Sequence, residues 1–358
     1  MNDINNALWT LDDAWNTVVS TRPERELKPR DYIYASELGG SQIDIWLKMK
    51  GVAFSNKPNQ RSLRKFFAGD IWEDVTKIVL ASAGLLIRTQ EHLTYQYPNL
   101  LEVRGRLDHY AGGIPNIDKV KHYFTGLKTL ENEMFEDSQQ PSNLEYIALK
   151  VAEMLIAKYP QGLQKQILEI KSSSSFMFES RVKKNSPDIH HAIQLFHYLK
   201  SKGEEYGQIS YICKDDALMK TFFVSGNDSN LEVEYKKRIE EITRYVKANK
   251  QPPKEKEIDF DLEQFKFTKN WKVEYSNYLT MLYGYSEPES YRERWDKLIT
   301  SFNRVFKRVI TEQNMTKANL EIIEECKTYF PEFDNYVDKA KEVLKSNPEL
   351  AVEEENEE

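Results

Sequence analysis

Only two cysteines, Cys213 and Cys326, occur in 358 residues. They suit a reducing compartment and exclude a disulfide framework. They also exclude a four-cysteine zinc or iron–sulfur site within the chain. Long hydrophobic runs are missing as well. The longest uncharged apolar stretch, Ile78 to Ile87, has ten residues and is broken by Ser82 and Gly84, whereas a membrane span needs about 20. The sequence therefore argues against an integral membrane protein. Nor is there a basic start followed by an apolar segment. Asp3, Asp12 and Asp13 surround a short apolar pattern instead, which argues against a secretory signal. Positive charge is not in excess: the net charge is −7, and six carboxylates fall in residues 349–358, leaving the rest of the chain near neutral. Charge alone gives no support for a nucleic-acid partner.

What is present is a globular composition, 40% apolar, 12% aromatic and 30% charged, long enough for two domains. Leu8, Leu11, Trp15 and Val18 share a helical stripe over residues 5–20. A second helix follows Gly39–Gly40, and a third runs from about Arg61 to Ala83. Strand alternation marks His92–Tyr97 and Leu101–Tyr110; in the latter, Glu102, Arg104, Arg106 and Asp108 share one face. Residues 111–165 interrupt this pattern with Gly112–Gly113, Pro115 and a helix near 143–158. A strand at Gln166–Ser172 follows, then a helix from about Pro187 to Lys200. Strands near Gln208–Cys213 and Thr221–Val224 and a helix near Leu231–Ala248 complete the first part. Pro252–Pro253 and the charged stretch to Asp261 mark a linker, after which the chain reads as mostly helical. The fold class is α/β: a mixed β-sheet core flanked by helices, with a helical C-terminal extension over 251–348 and a disordered acidic tail over 349–358.

The strongest local signal is Glu169-Ile170-Lys171. On a strand, Glu169 and Lys171 leave one face together while Leu168 and Ile170 go to the other. The tripeptide alone is common, and a solvated edge explains most instances. Its company gives it weight. Gly105-Arg106-Leu107-Asp108 ends a strand whose polar face holds Asp108, and two carboxylates on neighbouring strands offer hard oxygens to Mg²⁺ or Mn²⁺. Gly69 and Glu73 stand at i, i+4 on one helix, as do Gln194 and Tyr198 on another.

These motifs, in this order, resemble the PD-(D/E)xK nuclease superfamily in its RecB-like and phage-exonuclease branch (lambda exonuclease, YqaJ). The match rests on Gly69-x-x-x-Glu73, Gly105-x-x-Asp108, Glu169-x-Lys171 and Gln194-x-x-x-Tyr198. Tyr34-Ala-Ser-Glu-Leu and Trp46 look like the family's N-terminal opening. The resemblance covers residues 32–225 and implies a restriction-endonuclease-like nuclease domain over 1–250, with 111–165 as an insertion between the Asp108 and Glu169 strands. It implies a deoxyribonuclease dependent on Mg²⁺ or Mn²⁺, an exonuclease of recombination, repair or phage DNA processing. Asp108, Glu169 and the Ile170 carbonyl would be metal ligands, with Glu73 completing the set or holding a second metal. Lys171 would orient the attacking water, and Gln194 and Tyr198 would orient Lys171 or a phosphate. Neither an iron–sulfur cluster nor zinc is expected. DNA is the expected partner, with a homo-oligomer or a recombination or replication protein also open, and the cytoplasm (the host's, if phage-encoded) the expected location. An endonuclease or nickase of the same fold remains open, as does a non-catalytic binding protein retaining it.

Other polar residues read less sharply. Arg106, sharing the face of Asp108, is favoured as a phosphate contact. Arg61, Arg64 and Lys65 either flank a DNA groove or form a solvated face, and Ser172 to Ser175 either contact phosphates or end the strand. His190 and His191 splay about 100° apart on a helix, so with His197 they are expected at the surface or on a phosphate rather than on zinc. His109 is expected to pack in the core or at the sheet edge. The stripe of Tyr291, Trp295, Leu298, Phe302, Val305 and Val309 makes 291–310 a core-packing helix with a basic outer face; DNA or partner docking is the alternative.

Overall fold

The structure, a computed structural model, describes residues 11–21, 26–134, 144–262 and 264–346. They form two compact units, one of residues up to 52 and from 58 to 250, the other of 53–57 and 251 onward. The acidic tail and the first half of the expected N-terminal helix lie outside the described residues.

In chain order the first unit holds α1 (Leu11–Ser20), β1 (Tyr32–Tyr34), a single 3₁₀ turn at Ala35–Glu37, α2 (Gln42–Met49) and α3 (Gln60–Ser82). Four strands follow: β2 (Leu86–Thr89), β3 (His92–Tyr95), β4 (Glu102–Arg106) and β5 (His109–Gly113). Then come α4 (Ile117–Met134), α5 (Leu144–Lys158), β6 (Leu163–Ser173), α6 (Ser175–Lys184) and α7 (Ile189–Lys202). The unit closes with β7 (Tyr206–Cys213), β8 (Met219–Ser225) and α8 (Ser229–Lys247). The folded protein is thus mixed α/β, with mixed sheets flanked by helices.

Strand β6 organises the unit. Ile167, Leu168, Glu169 and Ile170 are successive and all buried, the pattern of a strand covered on both faces. It sits at the centre of a sheet ordered β2-β5-β6-β7-β8, antiparallel to β5 and parallel to β7. Leu168 and Ile170 pack with Ile212 and Ala111 against Trp72 and Leu80 of α3. Ile167 faces the other way, into the main core with Ile193, Leu195 and Phe196 of α7. Period-two alternation then places Glu169 and Lys171 on the α7 side.

A second sheet, ordered β1-β4-β3, was not expected. The alternation over Leu101–Tyr110 suggests one strand, but the chain breaks at Leu107–Asp108, leaving β4 in one sheet and β5 in the other. Tertiary hydrogen bonds make the break: Leu107 N–H donates to the Glu91 carbonyl, and Gln90 N–H to the Asp108 carbonyl. Glycine at 105 has a steric reason. A Cβ there would stand 2.4 Å from Tyr198 Cε1 of α7, so only glycine admits that ring. Short elements β1 and β2, and helices α4 and α6, also go beyond the sequence reading. Between Gly113 and Leu163, which are ladder partners, the chain runs out through α4 and α5. These pack on each other through Val120, Phe124, Ala148 and Ala152.

The second unit contains a hairpin, β9 (Ile258–Asp261) with β10 (Lys266–Lys269), then α9 (Trp271–Glu274), α10 (Leu279–Tyr283), α11 (Pro288–Ile310), α12 (Lys317–Tyr329) and α13 (Phe333–Ser346). The hairpin corrects the reading of 252–261 as linker alone. Helix α11 starts with proline at its first turn, where no intrahelical N–H is needed. It buries Tyr291, Trp295, Phe302, Val305 and Phe306. Residues 53–57 belong here because Asn56 Oδ1 accepts from Thr280 N–H (2.7 Å) while its Nδ2 donates to Thr280 Oγ1 (2.9 Å).

Candidate active site

A cleft of about 880 Å³ opens where the two sheets of the first unit meet, lined by Glu73, Arg106, Asp108, Glu169, Lys171, Gln194 and Tyr198. Asp108 occupies the break between β4 and β5 and is buried; its Oδ2 accepts from the Ile170 backbone N–H at 2.8 Å. Because His109 pairs with Leu168, Asp108 falls opposite Glu169. Glu169 is fully buried, and neither carboxylate oxygen receives a well-aligned hydrogen bond from the described residues. Lys171 Nζ stands 2.6 Å from Glu169 Oε1.

Three carboxyls thus face one ammonium, and their ionisation is correspondingly disfavoured. Burial, then repulsion from Asp108, pushes Glu169 up to about 8. The same two causes push Glu73 up to about 7, and burial raises Asp108. Burial alone would lower Lys171, but Glu169 and Asp108 outweigh it and hold the ammonium at about 12. Lys171 therefore stays charged. The set is short of positive charge, and three buried or half-buried carboxyls are costly to ionise together unless a cation beyond Lys171 meets them. Its donors are all oxygen, which fits a hard divalent ion such as Mg²⁺ or Mn²⁺.

Neighbouring side chains fix this geometry. Gln90, a left-handed residue (φ 54°) in the β2–β3 turn, donates from Nε2 to Glu73 Oε2 at 3.3 Å while its backbone N–H holds the Asp108 carbonyl. His109 is buried as expected; its Nε2 donates to the Glu73 carbonyl (3.1 Å) and its Nδ1 lies 3.2 Å from the Thr89 hydroxyl. Gln194 Nε2 donates to Tyr198 Oη (3.0 Å), and that hydroxyl donates to the Arg106 carbonyl (3.1 Å), tying α7 to the end of β4.

Some expected residues lie elsewhere. Ser172 is beside Gly69 of α3 and outside the cleft lining, as are Arg61 and Arg64. Arg64 Nε donates to Asn16 Oδ1 of α1 at 2.9 Å. The Ile170 side chain points into the α3 core, although its N–H meets Asp108. The sequence reading missed Gln90, Tyr32 and His92 and gave Tyr34 and Arg104 no site role; all but Gln90 are in the cleft lining. A three-residue strand is too short to show its alternation, and nothing in the sequence signals the Gln90 turn.

The histidines correct the expectation set for them. His197 is fully buried, its Nδ1 2.9 Å from Tyr235 Oη, and is a core residue. His190 and His191 do not splay apart: at the start of α7 their ring centroids stand 3.9 Å apart. With Asp188 they form the one group among the described residues whose three ligand-type atoms lie within 4.8 Å of one another. Asp188 Oδ2 is engaged by Arg181 Nε (2.8 Å) and Nη2 (2.7 Å), and His191 Nδ1 lies 2.8 Å from Tyr211 Oη. Burial, followed by the charge of Lys171, lowers His191; burial also lowers His190.

No family model matches the sequence, and no curated protein matches it. Solved structures do overlap. The crystal structure of SSO0001 is 14% identical, with a TM-score of 0.39, covering 68% of this chain and 90% of its own. LHK-Exo in complex with dAMP is 10% identical at a TM-score of 0.35, over 61% of this chain and 93% of its own. The alkaline exonuclease LHK-Exo from Laribacter hongkongensis is 9% identical at 0.30, over 66% and 97%. Overlaps this loose leave the assignment to the chemistry of the cleft.

Proposed function

We propose that the chain is a divalent-metal-dependent deoxyribonuclease of the PD-(D/E)xK type, with residues 1–250 as the nuclease domain. The observation that carries this is the gathering of Asp108, buried Glu169 and Glu73 around the single ammonium of Lys171. Asp108, Glu169 and the Ile170 carbonyl would hold the cation, and Glu73 would complete its shell. When bound, a divalent ion supplies Lewis acidity toward a phosphate oxygen and lowers the pKa of a water.

The chain's own residues do the rest. Lys171, charged and one strand period from Glu169, orients the attacking water and offsets negative charge building on the phosphate. Arg106 is exposed on the same rim and forms no ion pair among the described residues, so it is available to a phosphate. Gln194 and Tyr198 hold the β4 end, and with it Asp108, in register. The preference for an exonuclease of recombination, repair or phage DNA processing comes from the family resemblance.

The test is cleavage of end-labelled linear DNA and of covalently closed circular DNA with Mg²⁺, Mn²⁺ or EDTA, alongside Lys171→Ala. Metal-dependent loss of linear DNA only, absent in the variant, supports the exonuclease. Cutting of the closed circle moves the assignment to an endonuclease. No cleavage by the wild type overturns it.

A further inference from the structure

The cleft has a second wall, made by the outer face of the β1-β4-β3 sheet. Tyr32 and Tyr34 leave β1 on one side while Ile33 is buried on the other. The register sets Tyr34 beside Arg104 of β4, and Arg106 beside His92 of β3. Cross-strand partners share a face, so these side chains form one surface that runs along β4 to Asp108. Tyr32 and Tyr34 meet edge to face, with ring centroids 5.2 Å apart. The Arg104 guanidinium lies 3.8 Å from the centroid of Tyr32, and its side chain remains 45% exposed. Glu102 is ion-paired with Arg104, as is Glu37 with Arg30, so these two carboxylates are offset beside the tyrosines.

We infer that this face is a track for single-stranded nucleic acid, in which an unpaired base stacks on the Tyr32–Arg104–Tyr34 platform and Arg106 takes the adjoining phosphate. The inference rests on the nuclease reading for what lies at the end of the track. A flat aromatic ring backing an exposed guanidinium is a stacking surface for any base. Within a duplex, neighbouring pairs cover the base faces, so the platform acts only on an unpaired nucleotide. The continuity with Asp108 makes it the approach to the site, and its substrate class is a single strand or an unpaired end rather than a blunt duplex.

Binding without turnover separates this from the nuclease reading. In EDTA, fluorescence anisotropy compares a labelled oligo-dT, an abasic oligomer of the same length and a blunt hairpin duplex. The proteins are wild type, Tyr32→Ala/Tyr34→Ala, Tyr32→Phe/Tyr34→Phe and Arg104→Gln. Wild type should bind oligo-dT about tenfold tighter than the abasic oligomer. The alanine pair should lose that preference while keeping its affinity for the abasic oligomer and duplex, and the phenylalanine pair should retain it. Should the alanine pair not fold, Arg104→Gln reads the same loss. Equal binding of oligo-dT and abasic oligomer by wild type, an unchanged preference in folded alanine and Gln variants, or an equal loss toward duplex would overturn the track. Absent cleavage with the preference intact would fail the nuclease reading alone; cleavage without the preference would fail the track alone.

Discussion

Two clusters of ionisable side chains lie in the N-terminal unit, and they differ in what their polar atoms already hold. Asp188, His190 and His191 converge more tightly, with ligand-type atoms within 4.8 Å of one another. Yet Arg181 doubly engages Asp188 Oδ2, and Tyr211 meets His191. Asp108, Glu169 and Glu73 form no such triplet, but the Glu169 oxygens lack aligned donors and three acids face one lysine. Convergence of ligand-type atoms is therefore a poor guide to a site. An excess of buried carboxyls over the cations that face them is the better one, because such groups stay ionised together only where further positive charge meets them.

The contrast breaks most sharply in turnover. Glu169→Gln and Lys171→Ala should each lower single-turnover cleavage by about 10³-fold, whereas Asp188→Asn should leave the turnover of the folded protein unchanged. Equal losses in all three would erase the distinction. Stability should show the reverse. Arg181→Ala strands the Asp188 carboxylate and should cost about 3 kcal/mol in urea unfolding, most of it recovered when Asp188→Asn is added.

Acidity should separate the two clusters as well. Glu73 and Glu169 bind a proton more tightly folded than unfolded. Their contribution is therefore present below about pH 4.5 and is lost as pH rises toward 8. His109, His190, His191 and His197 are lowered, so they work in the opposite sense, adding stability as pH rises through about 6.5 and little above about 7.5. Between about pH 7.5 and 8.5 the carboxyls outweigh the histidines. In EDTA the melting temperature should fall across that window, with a slope of at most about 1.4 kcal/mol per pH unit for each proton. Glu169→Gln should flatten the fall, and Mg²⁺ or Mn²⁺ should reverse it. A melting temperature that rises there would count against the carboxyl assignment. The smallest effect is expected of Gln90→Ala, which frees Glu73 and should slow cleavage about tenfold without moving the melting temperature by more than a few degrees.

The α/β organisation and the residues gathered at the cleft were legible because strand and helix spacings encode them: Glu169-x-Lys171 by period two, Gln194-x-x-x-Tyr198 by one helical turn. The split between β4 and β5 was not legible, since Leu101 to Asp108 alternates without a flaw. Hydrogen bonds from Gln90 and Leu107, fixed by tertiary pairing, make the break. Helix α4 did carry a signal, with Val120, Phe124 and Leu127 at helical spacing, but Gly112–Gly113 and Pro115 drew attention to a loop. The histidine pair defeated a mid-helix angle rule because it sits on the first turn of α7, where the side chains gather around Asp188.

Gly113 and Leu163 are partners across a ladder, so everything between them departs and returns within one strand spacing, about 5 Å. Closure of such a loop depends only logarithmically on its length. Added length between these partners should therefore leave the pairing of the Asp108 and Glu169 strands in place.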